Sequence, residues 1–78
     1  MDRYEIGMLA KSKAGHDAGK VYVIIDVDET YVYLADGRIR TLGHLKKKKK
    51  KHVQAICRKQ DVAACDDVAI KRILKEYR

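Results

Sequence analysis

The sequence predicts a small, mainly β domain of five strands followed by one short C-terminal α-helix. Its 78 residues are 46% hydrophobic. That composition allows one thin core, because a chain of this size buries only about 60% of its unfolded surface. Residues Val21–Val27 form a β-branched run typical of a strand. Near the C-terminus, Ile70, Ile73, Leu74 and Tyr77 recur at the spacing of one helix face. We therefore expect a single domain over residues 1–78, too small for the deep pocket of a large enzyme.

Turn residues separate the expected strands. The Asp36-Gly37 pair is the strongest hairpin signal in the chain and suits a type I′ turn. Asp28 and Glu29 are expected to turn the chain between the second and third strands. The five expected strands cover residues 6–12, 21–27, 30–35, 38–42 and 53–57.

The hairpin turns also assign side chains to two faces of the sheet, because successive strand residues point to opposite sides. With a two-residue turn in each hairpin, Ile25 pairs with Val32 and Leu34 pairs with Ile39. The core face is then expected to hold Val21, Val23, Ile25, Val27, Val32, Leu34 and Ile39. The opposite face is expected to hold Tyr22, Ile24, Asp26, Tyr31, Tyr33, Arg38 and Arg40.

Asp66 and Asp67 can cap the start of the C-terminal helix. Because Val62, Cys65 and Ala69 extend its apolar stripe backward, the helix is expected over residues 61–77. A helix often covers one face of a small curled sheet. Tyr31 and Tyr33 therefore either pack beneath this helix or remain free to stack on RNA bases. The sequence leaves both alternatives open.

Positive charge is concentrated in one segment of the chain. The net charge is +7, and residues 37–60 contain ten basic residues and no acid. Such asymmetry indicates a polyanionic partner, either nucleic acid or an anionic membrane surface. Within this segment, the six consecutive lysines from Lys46 to Lys51 repel one another and resist burial. We expect them to form a solvated loop, displayed between two strands as a charged tongue, with His44 and His52 extending the basic surface.

No group of residues in the sequence indicates catalysis. His16 and Asp17 lie in a glycine-rich loop without a nucleophile beside them, and we interpret them as ordinary loop polarity. Asp28, Glu29 and Asp36 are better explained as turn residues than as metal ligands. We therefore expect no enzymatic activity, no metal site and no cofactor.

The cysteines and the hydropathy pattern indicate a cytoplasmic protein. Cys57 and Cys65 are separated by seven residues. They either close a small disulfide or remain reduced thiols, and we favour the reduced form. No apolar run exceeds five residues, and the N-terminus lacks the basic start and apolar stretch of a signal peptide.

Residues 6–21 resemble the KOW motif, in which a loop containing glycines and lysines joins two apolar strands. Gly19 occupies the place of the essential glycine of the motif, and Gly7 that of the glycine that opens its first strand. The Asp36-Gly37-Arg38 hairpin and the lysine run follow in the same order. Residues 5–57 thus resemble large-subunit ribosomal proteins of the fourteen-e type and, more closely, small bacterial stand-alone KOW proteins. The resemblance implies a five-stranded SH3-like barrel that binds structured RNA, often ribosomal RNA.

Charge and resemblance together predict an RNA-binding protein associated with large-subunit ribosomal RNA. Gly15 and Gly19 are expected to let backbone amides approach a phosphate oxygen. The alternative is a protein-interaction module that docks on a transcription or translation factor through the tyrosine-bearing sheet face. The residues expected to contact RNA are Lys13, Gly15, His16, Gly19, Lys20, Arg38, Arg40, Lys46, Lys47, Lys48, Lys49, Lys50 and Lys51.

Overall fold

Five antiparallel strands form one curled sheet, a half-barrel with a single helix packed on it. The computed structural model describes residues 4–59 and 66–77. The strand order across the sheet is β4-β3-β2-β1-β5. This confirms the prediction of a mainly β fold with one C-terminal helix and is consistent with an SH3-like barrel. The elements are β1 (Met8–Ser12), β2 (Val21–Val27), β3 (Tyr31–Ala35), β4 (Lys46–Lys49), a 3-10 turn (Lys50–His52), β5 (Val53–Lys59) and α1 (Asp67–Tyr77).

Hydrophobic side chains fill both faces of the sheet. One face, here called the inner face, is buried by the curled sheet. No residue of α1 belongs to its hydrophobic cluster. The other, the outer face, is partly covered by α1, whose Ile70 and Leu74 are buried against Leu9, Val23 and Ala35. The buried side chains of the inner face are Met8, Ala10, Tyr22, Ile24, Val32, Leu34 and Val53.

A bulge in β2 overturns the predicted division of side chains between the two faces. Asp26 pairs with Tyr33, but Ile24 pairs with Leu34, so the register shifts at Ile25. The extra residue reverses the alternation between the two halves of the strand. As a result Tyr22 and Ile24 belong to the inner core with Val32 and Leu34, whereas they had been expected on the opposite face. Val21, Val23 and Ile25 lie on the outer face with α1.

The predicted fourth strand over residues 38–42 is wrong. The Asp36 carboxylate accepts hydrogen bonds from the backbone N–H groups of Arg38 (2.8 Å) and Arg40 (2.9 Å), which bends the chain instead of returning it along β3. The strand that pairs with β3 is β4, four consecutive lysines, and a loop over residues 36–45 joins the two. Ile39, expected in the core, is 73% exposed.

Helix α1 begins where the sequence predicts a cap. Asp66 Oδ1 accepts a hydrogen bond from the backbone N–H of Ala69 at 2.9 Å, as an N-cap residue does. The predicted earlier part of the helix, over residues 61–65, lies outside the described residues. The alternative disulfide between Cys57 and Cys65 also lies outside the described part of the chain, since Cys65 and the side chain of Cys57 are not described. No helix in the described part of the chain is long and apolar enough to cross a membrane.

Candidate nucleic-acid interface

The pleat of β4 divides the lysine run into two sets. Lys46 and Lys48 pair with Leu34 and Val32 of β3, so their side chains start on the inner face. Lys48 is only 12% exposed and Lys46 is 27% exposed. Lys47 and Lys49 pair with Tyr33 and Tyr31, and they point to the outer face, where both are exposed.

Asp17 forms ion pairs with both inward lysines. It lies in the loop that joins β1 to β2 (residues 13–20), here called the glycine loop. Its Oδ1 lies 2.9 Å from Lys48 Nζ, and its Oδ2 lies 3.7 Å from Lys46 Nζ. The Tyr22 hydroxyl donates to Oδ2 at 2.8 Å, and the Ser12 hydroxyl lies 2.9 Å from Oδ1. Partial burial acts to raise the pKa of Asp17, but hydrogen bonds from Lys48, Tyr22 and Ser12 outweigh it and hold that pKa well below its usual range. Burial, together with the bond to Asp17, raises the pKa of Tyr22.

The expectation that the lysine run forms a loop is therefore wrong, because residues 46–49 are strand β4, and three of the run's six lysines are exposed. The run continues from β4 into the 3-10 turn, where the Lys50 N–H donates to the Thr30 carbonyl at 2.9 Å. The Tyr4 hydroxyl lies 2.9 Å from the Lys50 carbonyl and 3.1 Å from that of Val53. A backbone held in this way presents its outward cations at fixed positions.

The glycine loop lies directly against the lysine strand. Lys48 Nζ donates to the Ala14 carbonyl at 2.9 Å, and the N–H of Lys13 donates to the His52 carbonyl at 2.8 Å. Gly15 and Gly19 have φ values of +88° and +90°, a backbone conformation that glycine adopts without a steric penalty. The amide of Gly19 is occupied by the Ser12 carbonyl at 2.8 Å. By contrast, the amides of Gly15 and His16 donate to no group within the described residues.

The two tyrosines of β3 lie on the outer face beyond the area covered by α1. Lys47 Nζ lies 4.2 Å from the centroid of the Tyr31 ring, a cation–π contact. The Tyr33 hydroxyl donates to Asp28 Oδ2 at 2.7 Å, which raises the pKa of Tyr33 and lowers that of Asp28. Neither tyrosine belongs to the hydrophobic cluster that contains Ile70 and Leu74 of α1. The two rings therefore do not pack beneath residues 67–77.

Lys20, Arg38 and Arg40 contact a second carboxylate, that of Asp36. Lys20 Nζ is 2.6 Å from Oδ2 of the buried Asp36. Burial acts to raise the pKa of Asp36, but Lys20 and the backbone N–H groups of Arg38 and Arg40 outweigh it and lower that pKa. Arg38 borders a cleft formed with α1. The predicted site is thus divided. The structure brings Lys13, Gly15 and His16 together with the lysine strand, whereas Lys20 and the backbone N–H groups of the two arginines contact Asp36.

Sequence reasoning missed the central role of Asp17. Asp17, which was interpreted as ordinary loop polarity, is the only acidic side chain in residues 12–20 and forms ion pairs with two lysines of a distant strand. The signal available was an isolated acid inside a basic, glycine-rich loop. Its partners were not predictable, because the lysine run carries no alternation of residue types that would indicate a strand.

No protein-family model matches the chain, and no curated protein matches it.

Proposed function

We propose that the protein binds structured RNA through a lysine face, defined as Lys47, Lys49 and Lys51 with Tyr31 and the adjoining glycine loop. The observation that carries the proposal is the exposure of three lysines, of which Lys47 and Lys49 lie on the outer face of β4. All three are exposed, and none forms an ion pair with an acidic side chain of the described chain. A polyanion that neutralises them gains the free energy of counterion release.

The neighbours of this row favour a nucleic acid over other polyanions. Lys13 and His16 are exposed on the glycine loop, and the unoccupied amides of Gly15 and His16 offer hydrogen-bond donors to a phosphate. Tyr31 provides an aromatic ring beside the cations, on which an unpaired base can stack. Lysine is a point charge with little sequence discrimination, so recognition rests on RNA shape.

The RNA class follows from the resemblance of residues 5–57 to KOW proteins. On that basis the proposed partner is large-subunit ribosomal RNA, and the proposed setting is a cytoplasmic protein associated with the ribosome. The amides and cations of the glycine loop support contact with the RNA backbone. The inward lysines Lys46 and Lys48 take a structural part, because both form ion pairs with Asp17.

The test is filter binding of large-subunit ribosomal RNA over a series of salt concentrations. Substituting Lys47, Lys49 and Lys51 by glutamine removes three phosphate contacts and should reduce the slope of log K against log salt by about 2. The matched control substitutes Lys71, Arg72 and Lys75 of α1 by glutamine, with the same loss of charge. Equal losses in the two variants would show that net charge, and not the lysine face, governs binding.

A further inference from the structure

A second basic region lies between the loop over residues 36–45 and helix α1. It is an open cleft of about 670 Å³. Leu74, only 4% exposed, forms its apolar floor. The cleft is lined on the loop side by Asp36, Arg38 and Ile39, and on the helix side by Lys71, Leu74 and Lys75.

The charges of this basic cleft are unbalanced. Its one acidic side chain, Asp36, is buried; its Oδ2 forms an ion pair with Lys20 at 2.6 Å, and its Oδ1 accepts hydrogen bonds from two backbone N–H groups. Arg38, Lys71 and Lys75 form no ion pair with any acid in the described chain. The cleft therefore offers three cations to an anionic partner.

Exposed aliphatic side chains gather at the same junction. Ile39 is 73% exposed, Val68 59% and Leu42 37%. They are three of the four large hydrophobic side chains that are exposed within residues 4–56 and 66–77. Ile39 lines the cleft, and the backbone N–H of Leu42 donates to Asp67 Oδ1 at 2.8 Å, next to Val68. Aliphatic groups provide no stacking surface for bases, and exposed apolar patches rimmed by charge are typical of protein interfaces.

The walls of the cleft are held in contact before any partner binds. Gly37 has a φ of +76°, and a Cβ atom there would lie 2.2 Å from the Asp67 carbonyl oxygen and 3.0 Å from the Lys71 nitrogen. Loop and helix backbones touch at this glycine. A site assembled in advance loses little conformational entropy when it binds.

We propose that the basic cleft binds an acidic segment of a partner protein. The segment places a large aliphatic side chain between Ile39 and Leu74, and its carboxylates pair with Arg38, Lys71 and Lys75. Charge complementarity together with the exposed aliphatic groups selects this occupant over RNA. The inference does not depend on the lysine face, and with both surfaces occupied the protein joins an RNA to a protein partner.

The test uses fluorescein-labelled peptides in which two leucines are flanked on both sides by glutamates, with fluorescence anisotropy as the readout. Lys71→Glu should weaken binding at least about tenfold, and Ile39→Ser should weaken it about fivefold. Arg72→Glu is the matched control, since Arg72 is exposed on the same helix but does not line the cleft, and it should change affinity less than about twofold. Circular dichroism of each variant verifies the fold.

Amide chemical-shift mapping on the isotope-labelled protein locates the bound peptide. Shifts confined to residues 37–42 and 67–75 support the proposal. Three results would overturn it: no binding of the glutamate peptides to the unaltered protein, equal binding of peptides with glutamine in place of glutamate, or shifts centred on β4. The proposal also fails if Lys71→Glu weakens the binding of ribosomal RNA as much as glutamine at Lys47 and Lys49 does, because the cleft would then be part of the RNA surface.

Discussion

The lysine face and the basic cleft carry the same sign of charge but differ in the side chains around it. The lysine face places Lys47 beside the aromatic ring of Tyr31, and its strand contacts the glycine loop through Lys48. The basic cleft surrounds its cations with exposed aliphatic side chains. Positive charge alone thus attracts polyanions of any kind, and its apolar neighbours determine which class is accepted.

The two regions also differ in what holds them in place. The lysine face is part of the sheet, and its strand is joined to the glycine loop by the ion pair between Lys48 and Asp17. The cleft depends on the close approach of loop and helix backbones at Gly37. Each region can therefore be disrupted by a substitution that leaves the other intact.

The largest effect is expected from Gly37→Ala. The new Cβ atom meets backbone atoms of α1 at 2.2 Å, and its φ of +76° is unfavourable for alanine. Strain and displacement of the helix together should lower the free energy of unfolding by about 3 kcal/mol, as measured by urea denaturation. Peptide binding at the cleft should be lost, while the affinity for RNA should change little.

Gly19→Ala is the control for that substitution. Gly19 has a similar φ of +90° but no atom within 4 Å of the position that a Cβ would take. Only the conformational strain remains, so the free energy of unfolding should fall by about 1 kcal/mol. Equal losses at the two glycines would show that the contact with α1 contributes nothing.

A smaller effect, with a distinct pH dependence, is expected from Asp17→Asn. The substitution leaves the mostly buried Lys48 ammonium without its carboxylate partner. It should lower the free energy of unfolding by about 2 kcal/mol at pH 7. The folded-state pKa of Asp17 is below the unfolded value of about 3.9. Its stabilisation is therefore fully present above that value and is lost as the pH falls towards the folded pKa. Unfolding by urea at several pH values measures the difference between the variant and the unaltered protein.

That difference should be largest near neutral pH and should shrink below about pH 4. Other carboxylates with lowered pKa values, such as Asp36, titrate in both proteins and cancel in the comparison. A difference that is constant from pH 7 down to pH 2.5 would show that the Asp17 charge does not hold the loop to β4.

Local sequence patterns predicted those elements whose structure is determined locally. The β-branched run at Val21–Val27 is a strand with the predicted bounds, and the apolar spacing near the C-terminus indicated a helix that Asp66 caps. Both patterns reflect properties of neighbouring residues. The mainly β fold with one helix followed from them.

The errors arose where distant contacts decide the structure. The bulge at Ile25 has no marker such as glycine, yet it places Tyr22 on the same face as Val32 and Leu34. The Asp36-Gly37 pair carries a hairpin signal, but its carboxylate binds Arg38 and Arg40, and its glycine accommodates α1. Lysines were expected to avoid a sheet, but an edge strand with one acidic partner on its inner side accommodates them.

The division of the lysine strand is the central claim, and a comparison of two double variants tests it most directly. Glutamine at Lys47 and Lys49 and glutamine at Lys46 and Lys48 remove the same charge from the same strand, and RNA binding is measured for each by filter binding after its fold is verified. The outward pair should lose about tenfold in affinity and reduce the salt slope by about 1.5, whereas the inward pair should change affinity less than about twofold. Equal losses for the two pairs, or a larger loss for the inward pair, would contradict this account.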